Sequence, residues 1–133
     1  LHRSCIIASA RLGAGEAGDL VGGCFVVPRH GLDAEQHICE LWIVTAGTAR
    51  RRGVAALLAA WTMEALPRFG FENVVSFRTY ASNKAAVQLL RGLDFKLIGV
   101  FPRAAYLPGK RGATDAFLFS KDIRQKRDRQ RGV

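Results

Sequence analysis

Cysteine is scarce, with three in 133 residues. Cys5, Cys24 and Cys39 cannot all pair, and no two stand in a CxxC spacing. A disulfide scaffold is therefore excluded, and a reducing compartment, hence a cytoplasmic location, is expected. Long hydrophobic runs are missing too. The longest unbroken apolar stretch is Val54 to Trp61, far short of the roughly 20 residues that a membrane span requires, so no membrane partner is expected. No charged-then-apolar leader opens the chain, which leaves secretion without support. The three histidines, His2, His30 and His37, are scattered. His37 and Cys39 share one face of a strand, but two ligands do not make a zinc site, and no metal is expected. No histidine stands in a defined relation to a cysteine, so a cysteine nucleophile has no support either.

Acidic residues are also in deficit. Eleven Asp and Glu face twenty Lys and Arg, fifteen of them Arg, for a net charge of +9. Such a balance suits a polyanionic or phosphorylated partner. Residues Lys121 to Arg131 hold six basic and two acidic side chains, so +4 lies there and +5 in the rest. The length fits one domain, and 49% apolar with 23% charged residues is the balance of a folded globule. The division is expected to be a domain over residues 1–123 and a basic tail over 124–133. The chain starts on Leu1 and runs almost at once into an apolar strand, so some N-terminal structure is expected to be missing.

Ser4 to Ala10 and Leu20 to Val27 are short, β-branched apolar runs that predict strands, and the glycine-rich stretch Arg11 to Asp19 closes them into a hairpin. Ile38 to Thr45 is a third strand, nearly continuous in apolar residues, as a strand buried on both faces would be. Gly53 to Leu66 predicts a helix whose buried stripe is Val54, Leu57, Leu58, Trp61 and Ala65. Asn73 to Tyr80 is a fourth strand. A second helix follows, capped by Ser82 or Asn83 and buried through Ala86, Leu89, Leu90 and Leu93. Phe95 to Phe101 and Thr114 to Ser120 predict further strands, joined by a loop that holds Pro102, Pro108 and Gly109. The order is β-β-β-α-β-α-β-β.

Two motifs compete for a phosphate. Gly13 to Gly18 spells GxGxxG after a strand, but a dinucleotide site needs a helix to begin at those glycines. Asp19 to Val27 instead continues as a strand, so the hairpin turn is the reading. Arg50-Arg51-Arg52-Gly53 is a different construction. It lies between a buried strand and a helix. Gly53 lets backbone approach a ligand, and the first helical turn offers free N–H groups and a positive dipole end beside three guanidiniums. No GxxxxGK[ST] is present, so a P-loop nucleoside triphosphatase is excluded.

Arg50-Arg51-Arg52-Gly53-Val54-Ala55 is similar to the [Q/R]xxGx[G/A] signature of the GNAT-superfamily N-acyltransferases, which holds the coenzyme A pyrophosphate. Glu40 to Val44 resembles the strand that leads into that loop. Asn83-Lys84-Ala85-Ala86 with Leu89, Leu93 and Phe95 resembles the family's N-x-x-A-x-x-L…GF segment, and Thr114 to Lys121 its closing strand. The likeness covers about residues 4 to 123. It implies an α/β (α+β) fold with a mixed, mostly antiparallel sheet and helices on both faces, the family's opening strand and helices being absent.

The resemblance further implies an acetyl-CoA-dependent N-acetyltransferase that acts by direct transfer to a primary amine of a small molecule or amino acid. Acetyl-CoA is then the cosubstrate. Backbone groups near Ile43, Val44 and Thr45 would hold the pantetheine arm, Arg50 to Ala55 (Arg50, Arg51, Arg52, Gly53, Val54, Ala55) the pyrophosphate, and Asn83 the coenzyme arm. Glu40 falls where some members carry a catalytic glutamate. An arriving ammonium must lose a proton, and a carboxylate desolvated in an apolar strand gains the basicity to take it. Leu90 stands where the family carries a tyrosine that protonates the leaving thiolate, and Asp94 where it prefers glycine. Tyr80 and Tyr106 are candidate substitute acids, with a structural role the favoured reading of each. Net positive charge disfavours strongly basic acceptors by repulsion. The rival reading is a GNAT-like domain that binds coenzyme A or nucleic acid without catalysis, the latter through the tail. A homodimer stays open.

Overall fold

The computed structural model describes residues 5–12, 18–29, 35–47 and 53–124. Six strands and two helices follow the expected order: β1 (Cys5–Leu12), β2 (Asp19–Pro28), β3 (Ile38–Thr45), α1 (Val54–Ala65), β4 (Asn73–Tyr80), α2 (Lys84–Gly92), β5 (Lys96–Ala105) and β6 (Thr114–Asp122). A 3-10 turn, Leu66–Phe69, ends α1, with Gly70 in the left-handed region behind it. The strands form one sheet in the order β1-β2-β3-β4-β6-β5. β1 and β2 pair antiparallel out to Leu12 opposite Asp19, so a hairpin, not a dinucleotide-binding helix, follows β1.

Every neighbouring pair is antiparallel except β3 and β4. Those two run parallel, because α1 carries the chain back before β4 starts. Their pairing has three rungs: Ile38 with Asn73, Cys39 with Val74, and Glu40 with Val75. β3 continues to Thr45 and β4 to Tyr80 without a further rung between them. The sheet forks after Glu40.

The core joins Cys24, Val26, Cys39 and Leu41 of the sheet's first half to Leu58, Met63 and Leu66, and runs on through Val74, Leu90, Phe95, Phe119 and Ile123. On α1 the buried face is Leu58, Ala59, Thr62 and Met63, which corrects the expected stripe. Leu57 is 71% exposed and Trp61 54%. The helix is apolar almost all round, so periodicity could not choose a face. Packing chose it. A Cβ on Gly22 of β2 would stand 3.0 Å from Val54 Cγ1 and 3.2 Å from Leu58 Cδ1, so α1 seats against a bare backbone there. Thr62 can be buried because its hydroxyl donates to the Leu58 carbonyl at 2.7 Å.

Asn83 caps α2, its Oδ1 accepting the Ala86 N–H at 3.2 Å. The far end closes as a Schellman motif: Phe95 N–H donates to Leu90 O at 3.0 Å and Asp94 N–H to Arg91 O at 3.1 Å. Asp94 holds φ +62, a left-handed position that asparagine and aspartate tolerate better than most residues. β5 does not stop before Pro102 but runs through it to Ala105, a second correction. As an edge strand, β5 can do without a proline N–H on its open side. Its register with β6 slips between Phe101 and Ala105, where Arg103 has φ +51 and donates its N–H to Asp115 Oδ1 at 2.9 Å. Among the described residues no helix is long and apolar enough to cross a membrane.

Candidate active site

The fork between β3 and β4 opens into a cleft of about 720 Å³. One wall is β3 from Leu41 to Thr45. The other is β4 at Ser76, Arg78 and Thr79. The start of α1, Gly53 to Ala56, closes the mouth, and α2 contributes Ala85, Ala86, Leu89 and Leu90, with Asn83 ahead of it. A strand that has lost its neighbour leaves backbone N–H and C=O groups in need of partners. A ligand lying between β3 and β4 can supply them.

At the mouth, Gly53 is the N-cap of α1 with φ +75 and ψ +7, and no side chain caps the helix. Among the described residues nothing lies within 4 Å of where its Cβ would be. The first bond of the helix runs from Leu57 N–H to Gly53 O at 3.0 Å, so the amides of Val54, Ala55 and Ala56 precede any helical acceptor. An uncapped, unobstructed helix start beside a cleft is an anion site by dipole and by free donors.

Of the residues expected to hold a coenzyme, Ile43, Val44, Thr45, Gly53, Val54, Ala55 and Asn83 all line this cleft. Arg50, Arg51 and Arg52 lie outside the described residues. Glu40 is half-buried on the last β3–β4 rung, one residue before the cleft's first lining residue, and does not itself line it. Leu90 is both a core residue, 5% exposed, and part of the cleft wall. Tyr80 and Tyr106 are not in the lining. Tyr106 is exposed and accepts from Arg103 Nη2 at 3.1 Å. Sequence reasoning passed over Trp42, Ser76, Arg78 and Thr79. The available signal was a lone arginine inside the apolar run of β4.

Cys24 and Cys39 are free and buried, and neither lines the cleft. Burial pushes the Cys24 thiol up, opposed by a hydrogen bond with Thr62, and burial with the neighbouring Cys24 pushes Cys39 up to about 12. Such thiols stay protonated and do not act as nucleophiles. Among the described residues no three His, Cys, Asp or Glu side chains gather as a metal site.

The GNAT acetyltransferase family model matches residues 2–95, and the chain belongs to that family. Acetyl-CoA is the family's acyl donor. Among solved structures the chain is similar to a GCN5-related N-acetyltransferase from Kribbella flavida, at 25% identity over 79% of this chain and 61% of that one, with a TM-score of 0.73. An N-acetyltransferase from Staphylococcus aureus Mu50 matches at 23% identity, covering 83% of this chain and 65% of that one, with a TM-score of 0.73. The yncA protein of Salmonella typhimurium, solved with its cofactor acetyl-CoA, matches at 16% identity over 84% and 62%, with a TM-score of 0.74. The matched part of this chain thus spans less than two thirds of the length of these structures.

Proposed function

We propose that the protein transfers an acetyl group from acetyl-CoA directly to a primary amine of a small molecule or amino acid. The observation that carries this reading is the β3–β4 fork with an uncapped helix start at its mouth. The residues fit the donor. Backbone of Ile43, Val44 and Thr45 offers strand-like partners to an extended amide-bearing arm, the amides of Val54 and Ala55 suit a pyrophosphate, and Asn83 borders the same space. Arg50, Arg51 and Arg52, which directly precede Gly53 in sequence, add cationic charge to that proposal.

Acetyl-CoA supplies an activated thioester. The chain has to orient the amine against it, remove the ammonium proton and leave the C–S bond as the one that breaks when the C–N bond forms. Glu40 is the proposed base. It sits at the apex of the fork, one residue before the cleft lining begins, and a base acting through one bridging water suffices for proton transfer. Leu90 can donate no proton to the departing sulfur, and that sulfur leaves as a thiolate to be protonated by water. A thiol with an ordinary pKa of about 8.5 is a fair leaving group without help.

Thiol release from acetyl-CoA across a panel of primary amines tests the reading, with acetyl-CoA binding measured beside it by calorimetry. Binding with amine-dependent release is the expected result. Leu90, buried and apolar where the family carries its acid, favours a second reading, a domain that binds coenzyme A without catalysis. Binding without release on any amine would select it. Weak nucleic-acid binding through the basic tail belongs to that second reading, and gel shifts with and without residues 124–133 read it through the salt dependence of phosphate neutralisation. A homodimer is proposed on the apolar edge strand β5, where Ile98 and Phe101 are exposed. Light scattering decides it.

A further inference from the structure

The cleft is lined mostly by apolar side chains and by backbone, and Arg78 is the one charged side chain among its described lining residues. Other arginines beside the sheet are engaged. Arg29 meets Glu35 at 3.4 Å, Arg124 meets Asp122 at 2.9 Å, Arg103 meets the Tyr106 hydroxyl, and Arg11 donates to Gly18 O. The Arg78 side chain has no hydrogen bond or ion pair among the described residues.

Its placement has a cause in the strand. The β4–β6 register slips between Ser76 and Thr79, so Phe77 and Arg78 together oppose Leu118 alone in a bulge, a device that re-aims side chains. The Arg29 guanidinium stacks over the Phe77 ring at 4.9 Å, and Phe77 does not line the cleft. Arg78, the other bulged residue, is exposed and borders the cleft. The Ser76 and Thr79 hydroxyls flank it, 3.0 Å apart and bonded to each other.

We propose that Arg78 binds the carboxylate of the acceptor, so that the substrates are amino acids or other amines that carry a carboxylate. This rests on the acetyl-transfer reading above. No acid lines the described cleft, so a simple cationic amine would enter against an unpaired guanidinium with no counter-charge to meet it. A zwitterion brings its own. Its carboxylate pairs with Arg78 through charge-assisted, bidentate hydrogen bonds while its nitrogen stays free for the acetyl group. The other anion that could meet Arg78 is a coenzyme phosphate. The α1 N-terminus, at the mouth of the cleft, already offers donors for that group.

The test compares free L-amino acids with their carboxamides as acceptors, reading thiol release by the wild type, Arg78→Ala and Arg78→Lys. Charge-assisted hydrogen bonds predict that the wild type prefers the free acids by roughly ten- to a hundredfold in kcat/KM. Arg78→Ala should erase the preference through KM of the acid, Arg78→Lys should restore part of it, and acetyl-CoA affinity by calorimetry should not move. Equal use of acids and amides by the wild type overturns the proposal and leaves the transfer reading standing. So does an Arg78→Ala variant that keeps the preference and loses acetyl-CoA affinity, which would assign the guanidinium to a coenzyme phosphate. Absence of thiol release with every amine sinks the transfer reading instead. The carboxylate is then judged by binding of N-acetyl amino acids against N-acetyl amino amides, followed through the fluorescence of Trp42, which lines the cleft, in a Trp61→Phe background. No preference for the acids there overturns it.

Discussion

Replacing Gly53 by aspartate separates the coenzyme site from the fold that carries it. At φ +75 any side chain there is strained, and a left-handed residue costs about 1–2 kcal/mol, though aspartate is among the most tolerant. Aspartate is also a favoured N-cap, but relative to glycine it is worth only a few tenths of a kcal/mol. The strain therefore dominates, and since nothing among the described residues crowds the Cβ, the variant should stay folded and lose about 1–2 kcal/mol of stability. Binding should suffer. A carboxylate about 5 Å from a phosphate charge repels it by about 0.8 kcal/mol at the dielectric of water and about 3 kcal/mol at an effective dielectric of 20. A pyrophosphate carries more than one such charge, so acetyl-CoA affinity by calorimetry should fall at least about tenfold, or about 1.4 kcal/mol. The loss should shrink as salt is raised, because the site is exposed. Gly53→Ala carries the strain without the charge and should keep most of the affinity. Unchanged affinity in folded Gly53→Asp, or equal losses in the two variants, would refute the electrostatic argument.

Glu40→Gln should lower kcat by roughly 10²–10⁴ with acetyl-CoA affinity retained; a residual rate close to wild type would make Glu40 structural. Leu90→Tyr should destabilise by about 1–3 kcal/mol through overpacking of a site that is both core and cleft wall, with turnover unchanged or modestly faster. If Leu90→Ala stays folded, binds acetyl-CoA and loses all turnover, the leucine has a role in the site that this account lacks. Cys39, held at about 12 against an ordinary 9.0, stays protonated in the folded chain while the unfolded chain releases its proton above pH 9. Stability should therefore fall as pH rises from about 9 towards 12, by up to about 1.4 kcal/mol per unit from this group. Denaturant titrations of wild type and Cys39→Val at pH 8 and pH 10 should show the extra loss in the wild type only, and parallel losses would contradict it.

The element order was legible because each run has a single strong period and ends on a breaker, as Ile38 to Thr45 and Asn73 to Tyr80 show. The face of α1 was not. A helix with Val54 to Trp61 unbroken presents apolar groups everywhere, and the choice fell to a glycine on a strand thirty residues upstream. β5 passing through Pro102 was hidden for a related reason, since only its place at the sheet edge makes that proline harmless. Along the cleft, residues with a local signature, Gly53 and Asn83 above all, could be read in advance. Ser76, Arg78 and Thr79 could not, because a bulge set by pairing with β6 turns them to the site, and pairing partners are not written in the strand itself.

The account rests on the fork between β3 and β4 as the seat of acetyl-CoA, and a crystal structure of the chain with acetyl-CoA bound tests it most directly. It should show the pantetheine arm between Leu41–Thr45 and Ser76–Thr79, and the pyrophosphate on the amides of Val54 and Ala55. A coenzyme seated elsewhere, or a pyrophosphate that leaves the start of α1 untouched, would contradict it.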